Sequence, residues 1–224
     1  MAVNGSRRRW LAHCSLSLVG FAATGAGPVF AQGPNAAPVI LVVGDSLSAE
    51  YGLARGSGWV ALLERRLAEQ KLRAQVINAS ISGDTTAGGR ARLPALLRQH
   101  RPNVVVIELG GNDALRGLPL ASTRANLTEM AHAAREQGAK VLLIGMQVPP
   151  NYGRQYSDDF AAIFAAVATA EQTALVPFLL RGVADGADAM QSFQPDRIHP
   201  LATAHPQMLD NVWPVLKPLL GAGR

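Results

Sequence analysis

Five apolar runs, at 38–43, 73–78 (RAQVIN), 103–109 (NVVVIEL), 140–146 (KVLLIGM) and 174–178 (ALVPF), are spaced along the chain with a helical pattern after each. The runs are short and rich in β-branched residues, which is how strands buried on both faces read. The helical patterns span 58–70, 88–100, 121–137, 157–171 and 203–220. In the first, Trp59, Leu62, Leu63 and Leu67 recur at helical spacing with Glu64, Arg65, Arg66 and Glu69 between them; in the third, Gly138 marks the stop. Strands that alternate with helices in this order must pair in parallel through crossovers. The expected fold is therefore α/β, a three-layer α/β/α sandwich around a central, mostly parallel five-stranded sheet.

In such a sheet, sites form where the carboxyl ends of the strands open into loops. After the first run comes Gly44-Asp45-Ser46-Leu47-Ser48, and after the second Asn78-Ala79-Ser80-Ile81-Ser82-Gly83-Asp84-Thr85. After the third comes Gly110-Gly111-Asn112-Asp113, after the fourth Gln147-Val148-Pro149-Pro150-Asn151-Tyr152-Gly153, and beyond the fifth Pro195-Asp196-Arg197-Ile198-His199-Pro200. Any one cluster is ordinary turn chemistry. Taken singly, Ser46 caps a helix, Gly83 makes a turn, Asn112 holds its loop, and Asp196 with His199 forms a surface turn.

Together they contain what acyl transfer needs: a hydroxyl, a base, a carboxylate to orient it and donors for a developing oxyanion. Asp196 and His199 are three apart, so one short turn can hold the carboxylate against the imidazole. Ser46 reaches the same sheet edge from the other end of the chain. The backbone N–H of Gly83 and the amide of Asn112 can point into the same space. The remaining histidines of the predicted helices, His100, His132 and His205, read as surface or packing residues.

The 224 residues, 48% hydrophobic and 17% charged, suffice for one such domain. Residues 1–31 stand apart from it. Arg7, Arg8 and Arg9 precede an uncharged stretch, Leu11 to Phe30, that ends in Val29-Phe30-Ala31. This pattern is that of a signal peptide, with cleavage expected after Ala31. His13, several serines and glycines, and Pro28 argue against the alternative, a membrane anchor. SRRRWL also resembles a twin-arginine export signal. Residues 32–37 form a Pro/Ala-rich linker and 38–224 the domain, which is expected to be periplasmic or secreted, without stable membrane insertion, and monomeric.

Cleavage removes three of the 21 basic residues, which leaves 18 against 16 acids, a net charge of about +2. Such a small charge gives no case for a nucleic-acid partner. Cys14, the single cysteine, leaves with the leader. No His/Cys/Asp/Glu group has metal-ligand spacing, and no glycine-rich loop matches a phosphate or dinucleotide cradle, so no metal or cofactor is expected. Ser48 stands two residues after Ser46 where a G-x-S-x-G elbow requires Gly, which disfavours the common α/β-hydrolase pattern.

Gly-Asp-Ser-Leu at 44–47, Gly83, Gly-x-Asn-Asp at 110–113 and Asp-x-x-His at 196–199 resemble the four blocks of the SGNH, or GDSL, hydrolases. The likeness runs from about Val39 to Leu216. Within that superfamily the chain is most similar to the bacterial periplasmic branch of multifunctional thioesterases, arylesterases and lysophospholipases, through NASISGDTTAGGRARLPALL, ELGGNDALRGL and VPPNYGRQYSDDF. The resemblance implies a flavodoxin-like sandwich that hydrolyses small-molecule acyl esters and thioesters. Ser46 is then the nucleophile, His199 the base and Asp196 its orienting carboxylate. The N–H of Ser46, the N–H of Gly83 and the Asn112 side chain form the oxyanion hole.

The resemblance also makes 114–119 a mobile loop and Val148 and Pro149 the wall of an acyl groove, to which Leu115, Leu118 and Tyr152 add apolar surface. Arg197 stands where Gly is frequent in that family, and Leu201 where Asn is frequent. Ser46 is further expected at a helix start, where the dipole favours an oxyanion. A carbohydrate O-acetylesterase and a non-catalytic acyl binder on the same fold are the alternatives.

Overall fold

The computed structural model describes residues 37–186 and 188–221. The expected signal peptide, its expected cleavage site and most of the expected linker lie outside the described residues. Five strands, β1 (Val39–Gly44), β2 (Gln75–Asn78), β3 (Val104–Glu108), β4 (Lys140–Ile144) and β5 (Ala174–Val176), form one sheet in the order β2-β1-β3-β4-β5. All four pairings are parallel, with Val42 opposite Asn78 on one side and Val106 on the other. The order reverses direction at β1, so the crevice beside β1 is the place where a ligand fits best in an open parallel sheet.

Among the described residues six α-helices surround the sheet: α1 (Trp59–Glu69), α2 (Thr86–His100), α3 (Gly111–Leu115), α4 (Leu120–Glu136), α5 (Arg154–Ala170) and α6 (His205–Leu216). Helix α1 packs on α6, while α4 packs on both α2 and α5. The core is continuous from Ile40–Val43 and Val104–Ile107 out to Trp59, Leu63, Leu127, Met130, Phe160 and Phe164. The two phenylalanine rings meet edge to face with centroids 5.4 Å apart. β1 and β3 are buried throughout, as their unbroken apolar runs require. β2 departs from that expectation: it is an edge strand, and both its end residues are exposed.

Element boundaries depart from the sequence pattern at several ends: α5 begins three residues ahead of the expected 157, and β4 and β5 each end two residues early. Helix α3 occupies part of the stretch read as loop, since five residues between Gly110 and Gly117 are too few to show a period. Helix α2 begins two residues early, where the Thr85 hydroxyl accepts from Gly88 N–H at 3.3 Å. The last predicted helix is α6 flanked by two short 3-10 turns, 202–204 and 217–220.

The start of α1 has a partner from far along the chain. Gly58 offers no capping side chain, and the Trp59 N–H instead donates to His205 Nδ1 at 2.9 Å. The Glu50 carboxylate accepts from the N–H groups of Gly56 and Gly58. A capping search along the sequence spans a few residues, whereas His205 lies 146 residues away. His205 is buried, a packing residue as expected.

Candidate active site

The chain leaves β1 through a turn in which Ser48 and Ala49 N–H groups return to the Asp45 carbonyl. The next backbone bond, from Tyr51 N–H to the Ser46 carbonyl at 3.3 Å, spans five residues rather than four, so the helix start expected at Ser46 is not formed. Glu50, at φ 58°, and Gly52, at φ 71°, take left-handed conformations that stop propagation. Asp45 does the capping foreseen for Ser46: its Oδ1 accepts from Leu47 N–H at 3.1 Å. The Ser46 hydroxyl is thereby left for another partner.

That partner is His199, whose Nε2 lies 2.8 Å from Ser46 Oγ. The other ring nitrogen, Nδ1, lies 2.7 Å from Asp196 Oδ2. Asp196 Oδ1 also accepts from the N–H groups of Ile198 and His199, which fold the Asp-x-x-His segment into a single turn. Partial burial works to raise the Asp196 carboxyl, but these two N–H bonds and the His199 ring outweigh it and hold it at about 2. The loop is anchored at its base. Phe193 and Pro200 bridge antiparallel, and the Gln194 amide donates to the carbonyls of Tyr51 and Pro200. The Tyr51 ring lies against the imidazole with centroids 4.3 Å apart.

Gly83 and Asn112 come to the same edge from β2 and β3. Gly83 has φ 78°, a backbone conformation that glycine adopts without strain. Its carbonyl accepts from Arg116 Nη2 at 2.7 Å, which holds the peptide following Gly83 from the α3 side. Asn112 donates one Nδ2 hydrogen to Asp45 Oδ2 at 3.0 Å. Among the described residues no acceptor faces the N–H of Ser46 or of Gly83. An arrangement of hydroxyl, imidazole, carboxylate and unpaired N–H groups can deprotonate a serine and receive a negative oxygen beside it.

The apolar residues expected to bind substrate lie largely at the surface. Leu115, Leu118 and Tyr152 are each over a third exposed, Pro149 is exposed and Val148 packs partly on the core. Tyr152 stacks near Tyr156, whose hydroxyl donates to the Ala114 carbonyl. A concavity of about 760 Å³ between α4 and α5, lined by Leu120, Arg124, Thr128 and Ile163, lies apart from these residues.

A buried polar layer under the serine turn escaped the sequence reading. Glu108, fully buried, ends β3 opposite Gly44, and its Oε2 accepts from Ser48 Oγ at 2.7 Å. Trp59 Nε1–H donates to that same hydroxyl at 3.1 Å. A Cβ on Gly44 would stand 2.8 Å from both Glu108 Oε2 and Ser48 Oγ, so only glycine fits. Burial, then the neighbouring charge of Asp45, pushes the Glu108 carboxyl well above its ordinary range. Burial likewise raises Asp45 to about 6, against the opposing bonds from Leu47 and Asn112. The signal available in the sequence was the single acid inside the apolar run NVVVIEL.

A family model described as the GDSL-like lipase/acylhydrolase family matches residues 42–205. The chain is 57% identical over 185 residues to an esterase, TesA, of Pseudomonas aeruginosa, an alignment covering 83% of this chain and 90% of that one. It is 40% identical to a thioesterase 1/protease 1/lysophospholipase L1 of Escherichia coli, over 83% of this chain and 86% of the other. A crystal structure of TesA superposes with a TM-score of 0.78 at 56% identity, covering 81% of this chain and 99% of that one. With the family model spanning more than half its length, and with relatives this similar over most of theirs, the chain belongs to the GDSL-like lipase/acylhydrolase family.

Proposed function

We propose that the protein hydrolyses acyl esters and thioesters through an acyl-enzyme on Ser46. The observation that carries this reading is the unbroken relay Ser46–His199–Asp196, at 2.8 and 2.7 Å. His199 Nε2 takes the hydroxyl proton as Oγ attacks the carbonyl carbon. Asp196 accepts from Nδ1–H, which fixes the tautomer and stabilises the imidazolium. The carbonyl oxygen becomes an oxyanion facing the N–H of Ser46, the N–H of Gly83 and the free amide hydrogen of Asn112. Collapse breaks the C–O or C–S bond, and the proton on Nε2 goes to the departing alkoxide or thiolate. Water then attacks the acyl carbon as Nε2 takes one of its protons, and the second tetrahedral intermediate collapses by breaking the bond to Ser46 Oγ, which regains its proton from Nε2 as the acid leaves.

Leu115, Leu118, Val148, Pro149 and Tyr152 offer apolar contact on the acyl side, in keeping with fatty acyl, aryl and lysophospholipid substrates. Every group of the relay comes from one chain, so a monomer suffices. Among the described residues no helix is long and apolar enough to cross a membrane. The leader pattern supports export to the periplasm or beyond.

The test is turnover of a p-nitrophenyl ester series, acetyl to long acyl, beside an acyl thioester. Ser46→Ala is expected to lower kcat by several orders of magnitude, as loss of a triad member does. Turnover of that variant within tenfold of wild type would remove Ser46 from the mechanism. A rate peaking at medium or long chains supports the thioesterase and lysophospholipase reading. Turnover confined to acetyl esters moves the protein to the O-acetylesterases, and saturable binding without turnover makes it a binder.

A further inference from the structure

Asn112 can serve an oxyanion only through Nδ2. Its amide has two faces of similar shape and opposite polarity, and a rotation that presents Oδ1 would repel the negative oxygen. Something must fix which atom faces the site. Asp45 meets that requirement: an ionised carboxylate accepts hydrogen bonds and donates none, so it tolerates only the NH₂ end of the amide beside it. Its Oδ2 stands 3.0 Å from Asn112 Nδ2, while Oδ1 is held by Leu47 N–H at 3.1 Å. One side chain thus ties the residue after the candidate nucleophile to the candidate oxyanion donor. Asp45 is only 4% exposed, so water does not compete for either oxygen.

We propose that Asp45 is a positioning residue for the oxyanion site, its carboxylate taking one Nδ2 hydrogen of Asn112 and aiming the other at the carbonyl bound over Ser46. This rests on the acyl-enzyme reading and adds to it a role for the acid that precedes the serine. The groups facing Asp45 are Glu108 from β3, Asp84 from the β2–α2 loop, and His199 from the last loop. Two of the three are acids. A buried carboxylate beside two other acids costs stability, and a site that retains it puts the charge to use.

The experiment compares Asp45→Asn, Asn112→Ala and the double variant on a p-nitrophenyl ester, with Tm measured for each at neutral pH. Asn112→Ala is expected to lose about 10²–10³ in kcat, as loss of one oxyanion donor does elsewhere. Asp45→Asn is expected to lose tenfold or more in kcat with KM little changed. The double variant should be no slower than Asn112→Ala alone, because both changes remove the same donor. Tm of Asp45→Asn should equal or exceed that of wild type, whereas loss of a merely structural acid would lower it.

An Asp45→Asn rate within twofold of wild type, or losses that multiply in the double variant, overturns the positioning role. If Asn112→Ala itself keeps its kcat, it is the oxyanion assignment of Asn112 that falls, and the two failures are separate. Should Asp45→Asn not fold, the side-chain amide of Asn112 in the wild type decides by ¹⁵N NMR. Its hydrogen-bonded proton should shift as pH falls from 8 to 4 and Asp45 protonates; a resonance indifferent to pH overturns the proposal.

Discussion

Arg197 takes a φ of 59° between Asp196 and Ile198, in the region that glycine favours. The family resemblance places Gly at this position, and the backbone supplies the reason. The turn that brings His199 N–H to Asp196 Oδ1 needs a left-handed residue in its middle. Arg197→Gly is therefore expected to leave turnover unchanged and to stabilise the fold by up to about 1 kcal/mol, seen as a small rise in Tm. Asp196→Asn keeps the turn but presents the wrong partner to Nδ1. Its kcat should fall by about 10³–10⁴ with Tm nearly constant. Because the Asp196 carboxyl lies at about 2, below its ordinary value, its ionised form persists through the mildly acid range. Activity lost between pH 4 and 6 is then not lost at Asp196, and a kcat profile over that range checks this.

At the scale of elements, β1 and β3 were legible because a strand buried on both faces reads as an unbroken apolar run. The Asp196–His199 pair was legible because a three-residue spacing is a local fact. The turn after β1 was misread. Asp and Ser are good helix caps, but whether a helix follows depends on Glu50 and Gly52 turning left-handed, and no local preference shows that for Glu50. The Glu108–Ser48–Trp59 layer was hidden for another reason: it exists only once the register sets Gly44 beside Glu108.

Asp113 is a second case, and it carries a prediction. It is buried at the start of α3 and accepts from Thr86 N–H at 2.9 Å, from the Thr86 hydroxyl, and from Thr123 Oγ1 at 3.4 Å. Three helices meet on that carboxylate. Asp113→Ala leaves their buried donors unpaired and is expected to cost about 2–4 kcal/mol, measured as a lower denaturant midpoint at constant slope.

The whole molecule carries buried titratable groups of opposite habit. Glu108 has a carboxyl raised above its ordinary range, so its contribution to stability is complete below about pH 4 and is lost as pH rises through the raised value. Glu108→Gln should accordingly gain stability over wild type at pH 8 and show no gain at pH 4, by denaturant unfolding at both. His205 is the converse. Burial lowers its pKa against the opposing pull of Glu50 and the Pro200 carbonyl, so its contribution is present above about pH 6.5 and is lost as pH falls below that. The relay itself spans the molecule, since Ser46 and His199 are 153 residues apart and meet only when the first strand and the last loop are both in place. Turnover is thus a late reporter of folding: a chain still emerging, or one cut before Asp196, has its hydroxyl and no base. In a refolding experiment, ester hydrolysis should never run ahead of the return of helical circular dichroism, and the cell is spared a half-made hydrolase.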